Sequence, residues 1–170
     1  MDVPYFGEAM MDSDNKNVYI DRTIPLEQQI AFLRRSALAF QCNTYAVLKE
    51  KLGDKGTEIF KTIVRKGTQH GVEGIKGKSF EEITKIAGIP DKILGLQVEQ
   101  DYTKPDEFQY SITYCPYHEE SKRRGMDREF CTIIEDVQIE EVSKHLGKMT
   151  DTARMCRGDS KCTIKMRNTR

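Results

Sequence analysis

The sequence predicts an α+β fold, with N-terminal helices packed on an antiparallel sheet of about four strands and one inserted helix. Three observations predict it. Apolar residues recur at helical spacing through the first half of the chain. The second half changes period, with strict alternation at Phe108, Tyr110, Ile112 and Tyr114 and again at Cys162, Ile164 and Met166. Between those alternating segments stands a helical run, Phe130, Ile133, Ile134 and Val137. A chain of 170 residues fits one domain and can bury a core without disulfide staples. We expect an N-terminal arm over residues 1–22 and a single domain over 23–170. Residues 23–90 form its helical part, and 91–170 the sheet part that carries the cysteines.

Pro25 opens the first helix, in a position where its missing N–H does no harm. The stripe Ile30, Leu33, Ala37, Leu38, Cys42, Tyr45 and Leu48 carries it to Leu52, and Gly53 is a natural stop. Cys42 sits on this stripe and reads as a small core residue. A second helix starts near Asp54 and follows Ile59, Phe60, Ile63 and Val64 to about Gly71. The glycines from Gly67 to Gly77 are expected to break it up, and without a preceding strand they are no phosphate loop. His70 reads as a surface or interface histidine. Ser79 and Glu82 have the spacing of a capping box, opening a short helix over Phe80, Ile83 and Ile86 that ends at Gly88. Leu94–Tyr102 and Phe108–Tyr114 form a hairpin about Lys104–Glu107, and Cys115-Pro116 stops its second strand. After the inserted helix, Thr150–Met155 supplies a third strand, Arg157-Gly-Asp-Ser160 a turn and Cys162–Met166 the last strand.

Basic and acidic residues balance at 27 each, and no stripe of Lys and Arg interleaved with aromatics suggests nucleic acid. No apolar run has the length of a membrane span, and the N-terminus shows no signal-peptide pattern, so cytoplasm is the expected compartment. Thiols stay reduced there, which favours metal binding or catalysis over disulfides. The apolar first helix and the arm would suit a homodimer.

Four of the five cysteines, Cys115, Cys131, Cys156 and Cys162, lie in the last third of the chain, together with His118. Their spacings, Cys-x15-Cys-x24-Cys-x5-Cys, contain no Cys-x2-Cys knuckle, which argues against a zinc finger and against the compact ferredoxin run. Ligands can still converge from separate elements. Cys115 ends a strand, Cys156 and Cys162 flank a turn, and Cys131 lies at the edge of a buried helical stripe, on the side of Ile134 and Glu135. Four converging thiolates would suit zinc or a 4Fe–4S cluster, whereas three would leave an open position for water or substrate. His118 is then a fourth ligand or a general base. Without a metal, a cysteine nucleophile activated by His118 is the alternative. The plainest reading is that all four thiols are small core or edge residues that never meet. Asp136 is a candidate base or outer partner, and otherwise a solvated helix acid. Arg154 could bind a substrate carboxylate through its planar fork, or equally serve in a structural pair on the surface.

The order Tyr114-Cys115-Pro116-Tyr117, then Phe130-Cys131 with Asp136, then Arg154, Gly158-Asp159 and Cys162 resembles the L-2-amino-thiazoline-4-carboxylic acid hydrolase family, over roughly residues 26–167. The closing Arg157–Ile164 segment is also similar to the end of 4-vinyl reductase domains. The first resemblance implies hydrolytic opening of a small cyclic amidine, with Cys115, Cys131 and Cys162 at the family's cysteine positions and Cys156 as an extra thiol. A small-molecule substrate is the implied partner. The second resemblance implies the alternative, a sensor module binding a small molecule and a metal or cluster.

Overall fold

The computed structural model describes residues 24–169, so the N-terminal arm expected over residues 1–22 lies outside the described residues. The chain divides into two units, residues 1–33 and 34–170. In the first, the Gln29 side chain returns a hydrogen bond to the Ile24 carbonyl at 2.7 Å, tying the first turn of α1 (Leu26–Leu52). Ile30 and Leu33, expected on the buried stripe, are exposed there.

The second unit holds the core and the candidate site. The rest of α1 turns Leu38, Cys42 and Tyr45 inward, and Cys42 is fully buried as the sequence implied. Gly53, at a φ of 55°, ends this helix and leads into α2 (Asp54–Glu73). The second helix crosses the first closely at Gly56, where a Cβ would stand 1.9 Å from the Leu48 carbonyl oxygen, so only glycine fits. Tyr45, Phe60 and Phe130 then meet with ring centroids 5.0–5.8 Å apart and join α1, α2 and α6 (Asp127–Leu146). Such aromatic clusters contribute beyond their buried area, roughly 0.5–1.5 kcal/mol per pair.

Gly67 and Gly71 do not break α2, which runs on to Glu73. A glycine costs a helix about 1 kcal/mol relative to alanine, and packing of α2 on α6 outweighs that. The Ser79 capping box is formed, with Glu82 N–H donating to Ser79 Oγ and the Glu82 carboxylate accepting from Ser79 N–H. It opens α3 (Phe80–Ile86), and a short α4 (Ile89–Ile93) follows behind Gly88.

The sheet has four antiparallel strands, β1 (Gln97–Lys104), β2 (Glu107–Tyr114), β3 (Lys148–Ala153) and β4 (Cys162–Arg167), in the order β1-β2-β4-β3. The expected hairpin is present, and β4 lies between β2 and β3, pairing Ile112 with Cys162 and Asp151 with Ile164. The insertion after β2 is two helices rather than one. Pro116 sits in the first turn of α5 (Pro116–Arg123), and Gly125 separates that helix from α6. A 3₁₀ turn (Met155–Arg157) leads from β3 towards β4. No helix among the described residues is long and apolar enough to cross a membrane.

Candidate functional site

The chemistry-bearing residues gather where α5 and α6 meet the start of β4. Cys115 is the N-cap of α5, and the backbone N–H groups of Tyr117 and His118 in the first turn favour its thiolate. That is the position in which a helix N-terminus favours a thiolate. Burial nevertheless dominates and pushes the Cys115 thiol up to about 11. Cys131, on the flank of α6, lies 3.6 Å from the Ser121 hydroxyl, and burial pushes it up to about 12. Cys156, in the 3₁₀ turn, is raised by burial and stands 4.0 Å from the Thr132 hydroxyl. Cys162, the first residue of β4, accepts the Met155 N–H at 3.4 Å and is raised by burial and by the Glu135 carboxylate.

Glu135 links these groups. Its carboxylate faces the Cys162 thiol and helps raise it, and its charge is felt by all four cysteines. Its Oε2 lies 2.8 Å from Arg154 Nε. Burial raises the Glu135 carboxyl above the usual carboxylate range, against the pull of Arg154. Arg154 itself is 3% exposed. It is gripped by Asp151 and, through Nη2 at 2.6 Å, by Asp136. Its backbone N–H is fixed by Asp159 at 2.8 Å. These bonds outweigh the cost of burial and raise the guanidinium pKa further, so Arg154 is permanently charged.

The sequence candidates thus fall into three groups. Cys115, Cys131, Cys156 and Cys162 share the electrostatic neighbourhood of Glu135. Each sulfur has its own polar neighbour, however, and among the described residues no three His, Cys, Asp or Glu side chains form a group that could hold a metal ion. The thiols as placed do not fit a zinc or 4Fe–4S site. Asp136 is largely exposed and holds Arg154. His118 is buried in α5, its Nδ1 lacking a hydrogen-bond partner among the described residues, and Arg154 Nη1 shares that condition. Glu135 is the functional candidate that sequence reasoning passed over in favour of Asp136. The signal was its spacing: Glu135 is four residues past Cys131 and therefore on the same side of the helix.

The sequence model of the L-2-amino-thiazoline-4-carboxylic acid hydrolase family matches residues 33–166. The chain belongs to this family. The match spans the helical half as well as the sheet, and it contains every thiol, acid and base described above. A hydrolase family of this description implies a small-molecule substrate. No curated protein matches the chain.

Proposed function

We propose that this chain hydrolyses a small cyclic amidine of the 2-amino-thiazoline type through a thiol nucleophile, Cys162, with Glu135 as general base. One observation carries the reading. Arg154 lies 2.8 Å from Glu135, and the Glu135 carboxylate bears on the Cys162 thiol, an order of orienter, base and nucleophile that suits an activated nucleophile. A buried carboxylate with a raised pKa accepts a thiol proton more readily than an exposed one. The Cys162 thiol is protonated at neutral pH, so its proton moves as the sulfur attacks and no preformed thiolate is needed.

In this reading Cys162 Sγ forms a bond to the amidine carbon while Glu135 takes the thiol proton, and the carbon–nitrogen π electrons move to the ring nitrogen. The ring C–N bond then breaks, and Glu135 returns its proton to the leaving nitrogen. Water, deprotonated by Glu135, adds to the enzyme-bound carbon, and that carbon releases the Cys162 sulfur, which recovers its proton from Glu135. One water is consumed and the open-chain carbamoyl product leaves.

Arg154 acts here as a positioning residue. Three protein carboxylates already surround its single positive charge, so the local field disfavours an incoming carboxylate and favours a protonated amidine. Turnover of 2-amino-thiazoline-4-carboxylate by the purified full chain, followed by loss of the ring absorbance, tests the reading. Catalytic ring opening is expected, and a chain that leaves the ring intact would overturn it.

A further inference from the structure

Beside α2, a pocket of about 530 Å³ opens between α2, α6, the α3–α4 corner and the inner face of the sheet. None of the four clustered cysteines lines it. Most of its wall is apolar, with Phe60, Ile83, Ile134 and Met149 among the contributors. Gly67 and Gly71, one turn apart on α2, also face it, and a Cβ built on either would meet nothing within 4 Å. The helix therefore omits side chains at the two positions where they would occupy this space, although alanine would suit a helix better. Asp91, whose carboxylate is half-buried, and Tyr110 supply neighbouring polar groups to the lining. An apolar pocket with a few polar groups at one end is the usual form of a small-molecule site. Ionised Asp91 only accepts hydrogen bonds, so the complementary group is a cationic donor.

We infer that this pocket binds an apolar molecule carrying one amine or amidine group, the cation on Asp91 and the apolar body along Gly67 and Gly71. A single five-membered ring with its amino and carboxyl groups would leave most of this volume unfilled, so the occupant is larger than the thiazoline acid. Tyr110 also packs against the cluster containing Cys162, so the two sites share one residue. The inference stands on the pocket's shape and charge and does not rest on the thiol reaction.

Calorimetric titration of the full chain with 4-phenylbutylamine, and separately with 4-phenylbutanoate, tests it. One amine per chain is expected, bound at least about tenfold more tightly than the acid, as one charge-assisted contact supplies. Asp91→Asn should weaken the amine about tenfold or more and leave the acid unchanged or better bound. Gly71→Leu should abolish binding while the melting temperature holds or rises. Cys162→Ala should bind the amine as the parent does, which separates this site from the thiol reading. No saturable binding, equal affinity for amine and acid, or undiminished binding by Gly71→Leu would each overturn the inference.

Discussion

Glu135 on α6 turns its carboxylate towards the Cys162 thiol, where the long inserted helix meets the first residue of the central strand β4. Neither residue has this neighbour by local sequence. The register that pairs Cys162 with Ile112 sets the sulfur, and the packing of α6 on the adjoining 3₁₀ turn brings the carboxylate to it. The pairing connects an element of structure to a step of chemistry, and it can be broken without removing a core side chain.

Glu135→Gln keeps the shape and removes the base. We expect ring opening to slow by about a hundredfold to ten-thousandfold, as loss of a general base does, with little change in KM. Steady-state kinetics on 2-amino-thiazoline-4-carboxylate would show it, and an unchanged kcat would assign the proton to another group.

Arg154→Leu leaves Glu135, Asp136 and Asp151 without their shared cation. Two of those acids are mostly buried, so the variant should lose about 3–5 kcal/mol of stability, the usual cost of stripping one partner from a buried ionic group. Urea unfolding measures it. A loss below about 1 kcal/mol would mean that the cluster is solvated like an ordinary surface pair.

Burial lifts the Asp91 carboxyl from 3.8 to about 6, against the opposing pull of nearby Tyr110. The folded chain then holds this proton more tightly than the unfolded chain. Asp91 costs the fold little below about pH 4, and the cost grows as pH rises through 6. Asp91→Asn should therefore stabilise the protein at pH 7.5 by at most about 3 kcal/mol, with the gain vanishing near pH 4. Denaturation midpoints across that range check the sign, and a constant difference would contradict it.

The thiols' separate polar neighbours predict that ring opening does not depend on a metal at Cys115, Cys131, Cys156 and Cys162. Activity should survive dialysis against a strong chelator within about twofold, since no step of this chemistry passes through a metal. Anaerobic purification with metal, iron and acid-labile sulfide analysis gives the complementary measurement. About four irons with matching sulfide would instead support the cluster-binding alternative.

The sheet was legible because alternation is a local signal. Phe108, Ile112, Cys162, Ile164 and Met166 are buried where period two put them, although Tyr114 at the strand end is exposed. The Ser79 cap was equally readable, since its two partners lie three residues apart. The glycines Gly67 and Gly71 misled, because a helix interior tolerates them when packing holds the helix. Short α4 and α5 carry too few residues for periodicity to register. The site was half legible. Cys162, Arg154 and Asp136 were visible as types, but a base is defined by what surrounds it. Glu135 acquires its raised pKa only when α6 packs over the turn between β3 and β4.

The central claim is that Cys162 bonds covalently to the substrate carbon, and the most direct test is peptide mass mapping after rapid acid quench of the protein turning over 2-amino-thiazoline-4-carboxylate. The account predicts a substrate-derived adduct on the Cys162 peptide, more abundant in Glu135→Gln if release of the adduct is slowed more than its formation, and absent from Cys162→Ala, which should also lose activity by at least about a thousandfold. Turnover that persists in Cys162→Ala, with no adduct on that peptide in the parent, would contradict it.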